Sequence, residues 1–348
     1  MIDPCGPFVL LDDAREAGPA PARLYSGPAE IIKTRDPEEV RHCFDRLREA
    51  QGRGLHAAGF LSYEAGPAFE ARLAPLRRPS LEGAPPLLWF GLFDQAEEID
   101  ATRIPDRLPD PMSAWAGPPR PLIERGAYEA AVGRVKAHIV AGDIYQANLT
   151  FPAEVPIAGD PLALFANIRR RARAGHGGIV FTGEHWLLSF SPELFFSVKN
   201  GAVTTRPMKG TAKRRQVAAE DRAAVAALRE DAKQRAENLM IVDLLRNDLS
   251  RVSRLFEVET YPTVHQMTST VVSQLEEGVG PVDLLGAIFP CGSITGAPKI
   301  RAMEIIAGLE RRPRHVYTGA IGRVAPEGEA SFNVAIRTIS LKVGESAI

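Results

Sequence analysis

The run SPELFFSVKNGAVTTRPMKGT holds a carboxyl, Glu193, and an amine, Lys209. Asn200-Gly201 between two apolar stretches is a strong signal for a two-residue hairpin turn. In the simplest register Lys199 opposes Ala202, Glu193 opposes Met208 and Pro192 opposes Lys209. Opposed residues share a face and successive ones alternate, so this register separates Glu193 from Lys209. A one-residue bulge brings them to one face. Pro207, which cannot donate a ladder hydrogen bond, is the expected place for it. Side by side in a cleft, the two groups suit general-acid and nucleophilic chemistry. On spacing alone, an ordinary surface pair is the commoner arrangement.

Three further blocks carry candidate chemistry. IFPCGSITGAPKIRAMEII runs a Gly-containing loop into a helix with Pro298 in its first turn. Amides at that terminus, with Lys299 and Arg301 nearby, suit an anionic ligand. A cap with no ligand fits as well, and the glycine spacing is not that of a phosphate-binding P-loop. In AKQRAENLMIVDLLRND, Glu237 is a magnesium ligand or a salt-bridged helix residue, since Mg²⁺ needs only one or two carboxylates. Finally, VYTGAIGRV and FNVAIRTIS place Tyr317 and Arg337 on two neighbouring strands. An arginine buried in an apolar strand needs an anionic partner, from the protein or from a ligand.

The elements that must position these groups are legible from pattern. FVLLDD, GFLSYE and LLWFGLFD read as strands. DPEEVRHCFDRLREAQGRG reads as a helix capped by Asp36. Residues 104–121 hold six prolines and read as a linker. The expected division is an N-terminal region 1–103, a proline-rich linker 104–123 and a catalytic region 124–348. Beyond 124, helices are expected over ERGAYEAAVGRVKAHIVAGD, PLALFANIRRRAR, AEDRAAVAALREDAKQRAENLMIVDLLRNDLSRV and GAPKIRAMEIIAGLE. IYQANLTFPAEV, the two halves of FEVETYPTVHQMTSTVVSQLE, HVYTGAIGRVAPEG and ASFNVAIRTISLKVG are expected as strands. Strands interrupted by helices, without strict alternation, imply an α+β fold with large antiparallel sheets.

The 348 residues are 45% apolar and 24% charged, enough to bury a sizeable core. A net charge of −1 argues against a nucleic-acid partner, and no apolar run reaches membrane-spanning length. Cys5, Cys43 and Cys291 are odd in number and lack metal-site spacing, which fits a reducing compartment; a cytoplasmic protein is expected.

The blocks GDIYQANL, SPELFF, RPMKGT, RAENLMIVDLLRND, CGSITGAPKIRAMEII, YTGAIG and AIRT, in this order, resemble the chorismate-utilising enzymes. The resemblance runs from about residue 124 to the end, with a weaker one over 8–100. It implies two large antiparallel sheets packed face to face with outer helices. Two positions sort the subfamilies. Isochorismate and salicylate synthases carry a water-activating lysine where this chain has Gln146. Anthranilate synthases carry alanine where this chain has Lys209, as aminodeoxychorismate synthases do.

The resemblance therefore implies that the Lys209 amine attacks C2 of chorismate, with Glu193 protonating the departing C4 hydroxyl. Ammonia, from a separate glutamine amidotransferase subunit or from solution, then enters at C4 and expels the lysine. A nucleophilic lysine must be neutral, helped by burial or by cations such as Arg206 or Lys213, while Glu193 must hold its proton. Gly210, Thr211, Ser293 and Gln146 match substrate-binding positions, Tyr317 and Arg337 a carboxylate site, and Glu237 a Mg²⁺ site. Gln266-Met267 replaces the His-Leu pair of many relatives, making Gln266 the expected contact. The family normally continues into a Gly-rich strand and a C-terminal helix with a second magnesium glutamate. Without them, weak magnesium binding and poor or no turnover are expected. The alternatives are anthranilate synthase component I and, in another class, a non-catalytic chorismate-binding or partner-docking protein.

Overall fold

The computed structural model describes residues 2, 4–248 and 252–344. Its frame is two antiparallel sheets, one of six strands and one of ten. The six-stranded sheet contains Phe8–Asp12, Ala22–Ser26, Glu97–Ile99, Gly177–Phe181, His185–Ser189 and Thr338–Lys342. The ten-stranded sheet centres on His56–Leu61, Ala320–Val324, Ala330–Val334 and Leu194–Lys199. Both sheets draw strands from before and after the proline-rich segment.

Strand periodicity explains the layering. In Phe8–Asp12, Val9 points one way and Phe8 and Leu10 the other, yet all three are buried. Val9 joins Tyr25, Val180 and Leu187 against Phe60, Trp89, Phe93 and Ile321 of the larger sheet. That cluster is the contact between the sheets, which pack face to face. Phe8 and Leu10 instead meet Leu162 and Phe165 of the helix Pro161–Ala172. Ile104, Leu108 and Ala114 of the proline-rich segment enter the same core. On the far side of the larger sheet, Phe90, Phe196, Val271 and Phe332 pack against the helices Val40–Gly52, Pro281–Ile288 and Lys299–Leu309. A sheet buried on both faces needs apolar residues at consecutive positions, as FVLL and LWFGLF supply.

Three sequence expectations change. The strand expected over IYQANLTFPAEV is reduced to the two-residue pieces Gln146–Ala147 and Ala153–Glu154. Pro152, which has no N–H, stands between them. The long helical region breaks into Ala218–Glu230 and Ala232–Asp248, because the Asp231 carboxylate caps the second helix by accepting from Gln234 N at 2.9 Å. ASFNVAIRTISLKVG is not one strand. Ala330–Val334 pairs in the larger sheet and Thr338–Lys342 in the smaller. The chain crosses between them at Arg337, whose φ is 51°.

Phe196 stacks on Phe332 with ring centroids 5.3 Å apart, and its side chain is fully buried. Phe196→Ala should cost about 3–5 kcal/mol in a denaturant titration. Leu81→Ala, at a 70% exposed position, should stay within about 0.5 kcal/mol.

Candidate active site

The hairpin that carries the acid and the amine forms as the Asn-Gly pair dictates. Lys199 pairs with Ala202, and Asn200 and Gly201 have φ of 51° and 75°, the signs a type I′ turn requires. The register then slips. Ser197 faces Thr204 but Leu194 faces Arg206, so three steps on one strand match two on the other. The extra residue is on Leu194–Lys199, near Phe195, since the pairing with Ala330–Val334 also shifts between Leu194 and Phe196.

Pro207 behaves differently from the expectation. It interrupts the ladder between Ala202–Arg206 and Met208–Lys213 but adds no residue, because Thr205 pairs with Val271 and Met208 with Thr268. A second slip follows it, between Met208 and Thr211. Lys209 and Gly210 form this bulge, with Gly210 at φ 91°. A side chain on Gly210 would also press Gln234 and Met267, whose atoms lie 3.1–3.3 Å from an added Cβ.

The two bulges and the loop after Phe289 bring the acid and amine together at Ser293. Lys209 Nζ donates to the Ser293 carbonyl at 2.8 Å. The buried Glu193 carboxylate accepts from Met208 N at 3.4 Å. Burial pushes the Glu193 carboxyl above its ordinary range. The Ser293 side chain, the Lys209 charge and the Met208 N–H draw it partly back. Cys291, whose Sγ lies 3.2 Å from Ser293 Oγ, has its thiol pushed up to about 12 by burial and by the Glu193 charge. It therefore stays a neutral thiol. A buried carboxyl whose protonated form is favoured, beside an amine, is the pairing that acid-assisted nucleophilic substitution needs.

Other candidates lie around this centre. Thr211 pairs with Gln266 across the strands, and Gln266 Nε2 donates to Thr211 Oγ1 at 3.3 Å. Gln146 pairs with Ala297 of the Ser293 loop. Glu237 sits on the helix Ala232–Asp248, one turn after the Gln234 that covers Gly210. Its carboxylate, 40% exposed, faces Lys233 at 3.8 Å. Among the described residues no group of three His, Cys, Asp or Glu is placed to hold a metal. A single exposed carboxylate such as that of Glu237 is the kind of hard oxygen ligand that Mg²⁺ takes. Arg206, expected to help Lys209, is instead taken up by Glu259 at 2.6 Å.

Tyr317 and Arg337 stand apart. Tyr317 lines a cavity of about 1200 Å³ whose walls include neither Lys209, Glu193 nor Ser293. Arg337 is exposed, contrary to the buried position expected from its apolar neighbours, because the crossover between sheets turns it outward. It makes no ion pair among the described residues.

Sequence reasoning missed the support of this site. His265 is buried, with Nε2 2.9 Å from Asp221 Oδ1 and Nδ1 3.0 Å from Thr260 Oγ1. Arg214 also binds Asp221, and the Asp221 carboxyl is held well below its ordinary range by the Arg215 N–H, Arg214 and His265. Strand alternation around Gln266 was the available signal for His265. The buried Glu310–Arg314 pair carried no such signal, because the helix Lys299–Leu309 ends before Glu310.

The family model for chorismate binding enzymes matches residues 6–348. The aminodeoxychorismate synthase component 1 of Salmonella typhimurium is 39% identical over 252 residues, 70% of this chain and 54% of that protein. The anthranilate synthase component 1 of Methanothermobacter thermautotrophicus is 33% identical over 346 residues, 90% of this chain and 72% of that protein. A crystal structure of anthranilate synthase component I from Streptococcus pneumoniae superposes with a TM-score of 0.75 at 26% identity, covering 94% of this chain and 86% of that one. The chain spans about half the length of the bacterial component 1 relatives, 51–54%.

Two outcomes follow from the geometry. Gly210→Ala should lose roughly 1–2 kcal/mol of stability, because its φ suits only glycine. Because the Glu193 carboxyl is raised, ionisation favours the unfolded state as pH rises above the ordinary carboxyl range. Glu193→Gln should therefore gain stability relative to the unsubstituted chain between about pH 4 and neutrality. Denaturant titrations across that range that show a constant difference would contradict the buried-acid assignment.

Proposed function

Since the chain belongs to the chorismate binding enzyme family, we propose that it aminates chorismate, giving 4-amino-4-deoxychorismate as the synthase component of an aminodeoxychorismate synthase. The observation that carries this reading is the meeting of Lys209 and Glu193 at Ser293. The Lys209 amine forms a bond to C2 of chorismate as both conjugated ring double bonds shift and the C4 hydroxyl leaves. Glu193 gives that hydroxyl its proton, so it departs as water. Ammonia then bonds to C4, both ring double bonds shift back, and the C2–nitrogen bond breaks to restore the lysine. The net change is chorismate plus ammonia to aminodeoxychorismate plus water.

The neighbouring residues take binding roles in this proposal. Gly210 and Thr211 present backbone to the substrate beside the bulge, with Gln266 and Gln146 as neutral hydrogen-bonding groups. Gln146 cannot act as a general base, which disfavours water addition. The family resemblance assigns Tyr317 and Arg337 to a substrate carboxylate, but both stand apart from Lys209 and Glu193, so they carry no role in this proposal. Glu237 would hold Mg²⁺, which supplies charge neutralisation at the other carboxylate. Ammonia is assigned to a glutamine amidotransferase partner. No helix among the described residues is long and apolar enough to cross a membrane. The cytoplasm is the compartment proposed.

The longer match to an anthranilate synthase component 1 favours one other reading, direct formation of anthranilate and pyruvate. Product analysis with chorismate, ammonia and Mg²⁺ separates the two: aminodeoxychorismate is expected, and anthranilate without it would refute the proposal. Lys209→Ala should lower the amination rate by at least about 10³-fold, the scale of losing an essential nucleophile. Near-normal turnover in that variant would remove Lys209 from the mechanism.

A further inference from the structure

The loop that joins Lys209 to Glu193 is itself held by a residue outside the cluster. Arg314 is 2% exposed at its side chain and forms a buried pair with Glu310. Its Nε lies 2.8 Å from Glu310 Oε2 and its Nη2 2.6 Å from Glu310 Oε1. The same Nη2 donates to the Asn148 carbonyl at 2.7 Å. Nη1 donates to the Ile294 carbonyl at 3.1 Å and to Thr318 Oγ1 at 3.3 Å. The guanidinium carbon Cζ lies over the Tyr63 ring, 4.5 Å from its centre.

Two of these acceptors belong to the site. Ile294 follows Ser293 directly. Asn148 continues the Gln146–Ala147 piece, which pairs with Gly296–Ala297, and Asn148 N donates to the Thr295 carbonyl at 2.8 Å. Glu310 Oε1 also accepts from Thr150 N at 2.9 Å. One planar cation thus binds both the turn Gly292–Ile294 that carries Ser293 and the segment that pairs just after that turn. We infer that Arg314 is a positioning residue that sets where Ser293 stands, and with it the placement of Lys209 relative to Glu193.

The chemistry requires arginine in this role. A lysine ammonium can still neutralise Glu310, but a point charge cannot reach in-plane acceptors on several segments. If the pair merely stabilised the fold, keeping the charge would preserve most of its effect. If it positions the loop, losing the fork loosens the loop while the rest of the chain stays folded.

The test uses Arg314→Lys in the full chain and the two buried cysteines as reporters. Cys291 opens the Ser293 loop and Cys43 lies in the helix Val40–Gly52; each is 3% exposed. N-ethylmaleimide labelling, read by peptide mass, should become at least about 10-fold faster at Cys291 and unchanged at Cys43. Two results overturn the inference. One is continued protection of Cys291. The other is joint labelling of both cysteines, which would make Arg314 a global stability element. The inference rests on the amination reading for its kinetic arm, where kcat should fall about 100-fold with KM little changed. Absence of amination by the unsubstituted chain would refute that reading, whereas the labelling decides Arg314 without substrate.

Discussion

The hydrogen bond from the Lys209 amine to the Ser293 carbonyl depends on backbone that leaves the regular ladder in two places. An unbroken hairpin would put the acid and the amine on opposite faces. The extra residue near Phe195 and the bulge at Lys209–Gly210 each re-aim one strand. Neither bulge stands alone. Phe195 O accepts from the buried Thr205 hydroxyl at 2.5 Å, and Gln234 closes over Gly210. The rest of the larger sheet supplies the rigidity that lets two local irregularities hold a fixed relation.

Electrostatics at the site follow from burial more than from charge pairing. Glu193, Cys291 and Ser293 are all nearly inaccessible to water, so the neutral forms of the acid and thiol are favoured. Two of the cations near the sequence motif are engaged elsewhere: Arg206 with Glu259, and Arg214 with Asp221. Positive charge is thus drawn off into structural pairs, which leaves Lys209 as the amine facing the Ser293 loop. The His265–Asp221–Arg214 network serves this arrangement from behind. It ties the segment after Lys213 to the strand Val264–Gln274, on which the Lys209 strand is registered.

The same economy appears in the scaffold. Both sheets are assembled from distant parts of the chain, so the N-terminal strands brace the frame that carries the site. His56–Leu61 pairs with Ala320–Val324, which pairs in turn with Ala330–Val334 beside the Glu193 strand.

By itself the sequence determined the hairpin turn at Asn200-Gly201, the buried double-faced strands, the outer helices and the block order that marks the family. These are local or additive properties: turn chemistry, side-chain period and residue identity at short spacing. Tertiary structure decided the rest. Pro207 was the visible candidate for a bulge, but the register is set jointly by neighbouring strands, and those placed the bulges at Phe195 and Lys209–Gly210. The exposure of Arg337 could not be read from its apolar neighbours, because the crossover between sheets is a long-range event. Arg314 lies past the end of the helix Lys299–Leu309, so no helical spacing marked its pairing with Glu310. Its grip on Ile294 and Asn148 was not legible either, since those carbonyls come from segments 20 and 166 residues away in the chain. Only folding brings their acceptors into the plane of one guanidinium.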